Sequence, residues 1–444
     1  MKRRHIGYLF VLLLLSACKP KSEQEVMTET EVKPHPQWER SNFIDPALTD
    51  SLLKDKILGM ILGSAIGDAM GAPTEMWLRP DIVREYDYID RVTLVLREPS
   101  AEGPWDFNLP PGGTTDDTRW KAILVDFFEK EAVRRGQTPA PRLSAANFAQ
   151  FLVDRYRAEL QRLKDTEGFD PGPYEQNMRR INWLQEWALV AKPFADGDVE
   201  AYGYQLSHFY GGEMACAGML YAPMIGAYYP GRPEVAYEEM YKLGIFDIGY
   251  ARDISGLTAA LVAEAMRAQP QKDSLLRTII NIDPDHFFRS RLIGRAAYRI
   301  FKDAETITRE AKKATLSQWD EMKLTLPPHF PYDSLYYLQM QEAFRLMDKK
   351  NQDIPFHAGE IHLINLTALL FCDLDFAKSI EFVTNYGRDN DTVAAVTGAI
   401  LGAYWGASRL PAYLKDPVLR TNKQQLGIDL PALAERLEGL VRRR

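Results

Sequence analysis

The chain has 444 residues, with 61 acidic against 54 basic side chains and a net charge of −7. An acidic chain without a basic block makes a poor polyanion binder, so nucleic acid is not an expected partner. The length exceeds that of one typical domain, yet no internal Pro/Gly/Ser-rich seam divides it, and one large domain over 46–444 is expected.

Taken in chain order, Lys2, Arg3 and Arg4 form a basic start and Ile6 to Leu15 a short apolar run. The run is too short to span a bilayer and reads as a signal peptide over 1–17. Leu15-Ser16-Ala17-Cys18 resembles a bacterial lipobox, with Cys18 as the lipidation site; an ordinary signal peptide is the alternative. The expectation is an extracytoplasmic protein held to a bacterial membrane by its lipid anchor only. Loss of the three basic residues then leaves 51 basic against 61 acidic side chains and a net charge of −10. Residues 18–45 are polar and predict a flexible tether.

Beyond the tether, apolar residues recur at helical spacing over 54–70, 119–134, 144–163, 178–191, 213–228, 234–244, 254–267, 285–302, 334–347, 360–371, 375–386 and 392–407. Only Val92-Thr93-Leu94-Val95-Leu96 predicts a strand, and a strand without a partner makes no sheet. The expected fold class is all-α. Dinucleotide fingerprint, P-loop, HExxH helix and nucleophile elbow are absent. Cys216 and Cys372 stand in apolar helical text and are expected as buried free thiols rather than a disulfide. His357 and His362, five apart, do not share a helical face and are not expected to bind zinc. Trp183 and Trp187 are expected in the core.

Two predicted helices carry glycine stripes. Gly59, Gly63, Gly67 and Gly71 stand four apart, as do Gly398, Gly402 and Gly406, a spacing that lines one helix face. Each glycine costs a helix about 1 kcal/mol against alanine, so both stripes need a reason. Tight backbone packing is that reason, and it is expected to draw two helix starts together.

Two acidic clusters precede predicted helices: Gly112-Gly113-Thr114-Thr115-Asp116-Asp117-Thr118 and Gly387-Arg388-Asp389-Asn390-Asp391-Thr392. Helix capping explains either one alone. Together each offers two carboxylates and at least one hydroxyl, hard oxygen donors suited to Mg²⁺ or Mn²⁺, with neither His nor Cys. Four carboxylates meeting in space repel unless cations lie between them, and two ions roughly 3.5–4 Å apart are the economical arrangement.

The segment Gly59 to Glu75, Thr115-Asp116-Asp117-Thr118, and Gly387 to Thr392 running on to Ala403 resemble, in order, the opening, central and closing motifs of ADP-ribosylglycohydrolases. The resemblance covers roughly 50 to 410. It implies an all-α orthogonal bundle whose cleft holds two Mg²⁺ or Mn²⁺ ions. It also implies Thr115, Asp116, Asp117, Asp389, Asp391 and Thr392 as metal ligands, Glu75 in acid–base chemistry or gating, and Asp68 near the substrate. A satisfied, partly buried carboxylate is the other reading of Asp68. Arg388 departs from the family's second glycine and is expected to put a cation at the cleft rim. The family's diphosphate-holding loop is not recognisable; Gly211, Gly212 and Glu213 stand in its place, and Glu213 is a poor neighbour for phosphate. The expected function is metal-dependent hydrolysis at the anomeric carbon of a ribosyl or ADP-ribosyl substrate by a monomer. A non-catalytic, metal-dependent sugar-binding lipoprotein and a di-metal phosphohydrolase are the alternatives.

Overall fold

The computed structural model describes residues 47–96, 109–134, 142–167, 171–284, 286–289 and 294–443. Cys18, the signal segment 1–17 and the tether 18–45 lie outside them. In chain order the elements are α1 (Asp50–Gly71), β1 (Trp77–Leu78), α2 (Arg79–Tyr86), α3 (Asp116–Arg134), α4 (Ala145–Glu167), α5 (Pro171–Asp196), α6 (Val199–Leu206), α7 (Ala222–Tyr228) and α8 (Pro233–Leu243). Then come α9 (Ala251–Ala265), α10 (Lys272–Asn281), α11 (Ala296–Ala311), α12 (Ser334–Asp348), α13 (Ala358–Phe371), α14 (Phe376–Tyr386), β2 (Gly387–Arg388), α15 (Asn390–Trp405), α16 (Ala412–Gln425) and α17 (Leu430–Arg442). The fold is all-α. Among the described residues its one named ladder is the two-residue antiparallel pair of β1 and β2, with Trp77 opposite Arg388 and Leu78 opposite Gly387.

At the centre α1 and α15 run antiparallel, and glycine sets their separation. A Cβ on Gly59 would lie 2.3 Å from the Gly402 oxygen, one on Gly63 2.2 Å from the Gly398 oxygen, and one on Gly67 1.9 Å from the Ala394 oxygen. At Gly71 it would lie 2.3 Å from Asp391 Cα. No side chain fits such gaps. The antiparallel course corrects the expectation that two helix starts meet here: the end of α1 meets the start of α15. By length and composition α1 could cross a membrane, but 94% of its apolar window is buried inside the protein.

Polar groups lock this pair to its surroundings. The Lys56 ammonium, on α1, donates to Ala265 O at 2.9 Å and Ala403 O at 2.8 Å, taking carbonyls from the last turns of α9 and α15. Such carbonyls lack intrahelical partners and attract a cation. Burial lowers the Lys56 amine to about 8. The chain after α2 is pinned to α14, where Asn385 accepts from Ile89 N at 2.9 Å and donates to Ile89 O at 2.8 Å. Next to it the Tyr88 hydroxyl donates to Glu381 at 2.9 Å.

Where periodicity misleads, the cause is local. The helix expected over 213–228 is split into a 3₁₀ turn, Ala217–Leu220, and α7. Pro223 has no amide to donate and is tolerated only in a first turn, so a new helix begins there. The strand expected over 92–96 reduces to a single bridge, Val95 with Leu109. Cys216 and Cys372 are free and buried, and Trp187 is 1% exposed in the core.

Two measurements check this packing. Gly67→Ala should lower the unfolding free energy by about 3 kcal/mol or more, because the new methyl meets backbone rather than a movable side chain; urea denaturation reads it. The second concerns Glu381, whose carboxyl burial raises to about 7, against hydrogen bonds from Tyr88 and Tyr332. Its folded value lies above the unfolded one, so the stability it contributes is full at low pH and is lost as pH rises through about 7. Glu381→Gln should therefore match the wild type in acid and gain on it above neutrality.

Candidate functional site

Three helix ends supply the acidic residues. Asp68, near the end of α1, is fully buried beneath the start of α3. One of its oxygens accepts from the Thr115 amide at 2.9 Å, the other from the Thr118 amide at 3.0 Å and the Thr118 hydroxyl at 2.6 Å. Asp68 thus satisfies amides that a helix start leaves open. Asp116 and Asp117 sit in the first turn of α3, relieved of that duty. Asp389 occupies the cap position of α15, but its side chain makes no cap hydrogen bond. Capping therefore does not account for these carboxylates.

The two clusters meet. Thr115 Oγ1 donates to Asp391 Oδ2 at 3.3 Å, and Thr392 Oγ1 donates to Asp117 Oδ2 at 3.0 Å. Carboxylate oxygens of Glu75, Asp389 and Asp391 lie within 4.8 Å of one another. A pocket of about 50 Å³ is lined by Glu75, Asp116, Asp389, Asp391 and Thr392, together with Met76, Tyr210, Cys216 and Phe356. Thr115 and Asp117 are buried immediately behind this wall. Glu75 is held by its neighbours: Met76 takes φ +65° and donates its amide to Arg388 O at 2.7 Å, and the β1–β2 ladder follows.

Charge is crowded here. Burial, then the Asp117 and Asp391 carboxylates, raise Asp68 to about 7. Burial, opposed by the Lys121 ammonium 3.4 Å away, raises Asp117 to about 6. Burial and the same neighbours push Asp116 well up, and burial beside Asp389 does so to the Cys216 thiol. Lys121 also donates to Leu220 O at 3.0 Å, so it offsets only part of the negative charge. Asp391 Oδ1 is buried with no hydrogen-bond partner. Converging hard oxygens, excess negative charge and an unsatisfied buried carboxylate oxygen fit divalent cations.

Other expected site residues stand elsewhere. Arg388, at φ +68°, lies outside the pocket lining; its guanidinium grips Glu360, Nε to Oε1 at 2.6 Å and Nη2 to Oε2 at 2.9 Å. Glu360 is 2% exposed, and a buried carboxylate left unpaired is costly, so the cation turns inward rather than to the rim. Gly211 and Gly212, at φ +71° and +77°, turn the chain so that Glu213 is exposed, and all three lie outside the lining. Asp68 is a brace beneath α3 rather than part of the wall. Tyr210 and Phe356, whose rings lie 5.6 Å apart, were not expected at the pocket. Their only trace in the sequence is the Gly-Gly turn after Tyr210, since the bridge of Ala215 with His357 joins distant segments.

The family model of ADP-ribosylglycohydrolase matches residues 49–444. An Escherichia coli (strain K12) relative, "Uncharacterized protein YegU", is 37% identical over 78 residues, 17% of this chain and 22% of that protein. The match thus spans about a fifth of the curated relative's length. The solved "ADP-ribosylglycohydrolase-related protein complex" aligns with a TM-score of 0.49 at 18% identity, over 88% of this chain and 99% of that one.

Asp116→Asn and Asp391→Asn each remove a charge and keep a polar group of the same shape. Calorimetry should find Mn²⁺ binding weakened beyond detection in both. After chelator treatment both should melt no lower than the wild type, because a repelling carboxylate has gone. Unchanged Mn²⁺ binding with a lower melting temperature would make these residues scaffold alone.

Proposed function

The chain belongs to the ADP-ribosylglycohydrolase family, and from that membership we propose a metal-dependent hydrolase that cleaves the glycosidic bond at the anomeric carbon of a ribosyl unit. The observation that carries the reading is the meeting of two distant helix starts, Thr115 with Asp391 at 3.3 Å and Thr392 with Asp117 at 3.0 Å. Two Mg²⁺ or Mn²⁺ ions held by Thr115, Asp116, Asp117, Asp389, Asp391 and Thr392 would polarise the ribose hydroxyls and a water, easing its deprotonation.

The chain's own residues do the rest. Glu75, beside Asp389 and Asp391, moves the proton of the water or the leaving group as bond cleavage builds positive charge on the sugar. The Met76–Arg388 clip holds Glu75 in reach. Asp68 and Lys121 hold the start of α3, and hence Asp116 and Asp117, in register. Glu75, Met76, Tyr210 and Phe356 line the pocket that a ribosyl unit would enter.

Among the described residues the lining contains no Lys, Arg or His, which favours recognition of the ribosyl end over a diphosphate, which wants amides or a basic group. The proposal also keeps Cys18 as a lipid anchor on the extracytoplasmic side of a bacterial membrane, resting on the Leu15–Cys18 motif; acylation lost in Cys18→Ala is its check.

A turnover screen with Mg²⁺ or Mn²⁺ over ADP-ribosyl-arginine, ADP-ribosyl-serine and simple ribosides tests the function. At least one should be hydrolysed, and Glu75→Gln should slow it by about 10²–10⁴-fold, the usual share of a general acid or base, while cation binding persists. Cation and riboside binding without turnover of any member would favour a sugar-binding protein. ADP-ribose bound a hundredfold more tightly than a riboside would reveal a phosphate pocket.

A further inference from the structure

A lysine stands behind a cleft that collects cations. The Lys121 ammonium is buried, 1% exposed, and rests between Asp117 Oδ1 at 3.4 Å and Leu220 O at 3.0 Å. Asp117, equally buried, has its other oxygen engaged by the Thr392 hydroxyl at 3.0 Å. Both of its oxygens are therefore taken, one of them by a positive charge. The Glu75 side of the cleft differs. Oxygens of Glu75, Asp389 and Asp391 lie within 4.8 Å of one another, and Asp391 Oδ1 is buried with no hydrogen-bond partner. Among the described residues no lysine, arginine or histidine lines that pocket.

We propose that Lys121 makes the two cation positions unequal: the divalent ion held by Asp389 and Asp391 beside Glu75 binds first and tightly, and the ion that draws on Asp117 binds second and weakly. The inference rests on the reading of this cleft as a two-cation site. An ion on Asp117 must share that carboxylate with the ammonium, and like charges brought together where water is excluded repel strongly. The ammonium has no easy retreat, because a buried charge parted from its partners is costly. Lys121 is thus a positioning residue that acts through Asp117. It serves as a permanent cation there and holds the carboxylate in place whether or not the second ion is bound.

The test is a calorimetric Mn²⁺ titration of the purified full chain stripped with a chelator. The wild type should bind two ions in steps that differ by about tenfold or more in affinity. Lys121→Gln keeps a donor for Leu220 O and removes the charge; it should tighten the second step by about tenfold or more and leave the first unchanged. Lys121→Met should do the same, with thermal melts establishing that each variant folds. Electron paramagnetic resonance reads the wild type without substitution: the spectrum of an isolated Mn²⁺ at the first equivalent, and that of a coupled pair only at higher concentration. Two equal steps, or a coupled pair at the first equivalent, overturn the proposal, as does a second step that stays weak in a folded Lys121 variant. A single wild-type step that becomes two in Lys121→Gln supports it, and one that stays single overturns it. No Mn²⁺ bound at all removes the cation site itself.

Discussion

The contact between α1 and α15 is too close for any side chain, and that distance sets where the acidic residues of the cleft stand. Carbonyl oxygens of Gly59 and Gly63 would lie 2.0 Å from a Cβ on Gly402 and Gly398, so backbone packs directly on backbone. At this range Cα–H groups contact carbonyl oxygens, each worth perhaps 0.5–1 kcal/mol, which offsets part of what the glycines cost the helices. The more important result is positional. With Gly71 against Asp391, Asp68 lies one turn back along α1, near enough to hold the start of α3. One helix pair therefore sets the relation between two acidic loops that the sequence separates by most of the domain.

The cleft concentrates charge because the usual stabilising tasks have been assigned to other residues. Asp68 takes the open amides of α3, Lys121 lies against Asp117, and Glu360 draws the Arg388 guanidinium inward. Asp116, Asp389 and Asp391 are left facing the pocket. Of these, Asp116 has its carboxyl pushed well up, by burial first and then by the neighbouring Asp117 and Asp391 carboxylates.

Helices such as α1, α3 and α15 were legible because burial makes their periodicity or glycine spacing strong, and Asp116, Asp117, Asp389 and Asp391 because paired acids at two helix starts are more than a cap needs. Three kinds of feature were not. Short helices such as α2 and α6 have eight residues each, too few for a period to emerge. The β1–β2 pair has two residues per strand and no alternation to read. Direction also escaped: Arg388 faces Glu360 rather than the rim, and Cys216 faces the acidic pocket, because each orientation depends on a partner far away in sequence. A spacing argument says which residues share a face; it does not say what that face meets.

The glycine contact also dictates an order of events during synthesis. Gly59 emerges early, while Gly402, the group it packs on, is among the last of the domain to be made. At roughly 5–20 residues per second, α1 exists for tens of seconds as an apolar helix with its long-range partner still unmade. It is apolar enough to pass for a membrane span. The nascent protein must therefore be sheltered until its C-terminal helices arrive, and a truncation before α15 would leave this long apolar helix without its partner rather than a smaller folded core.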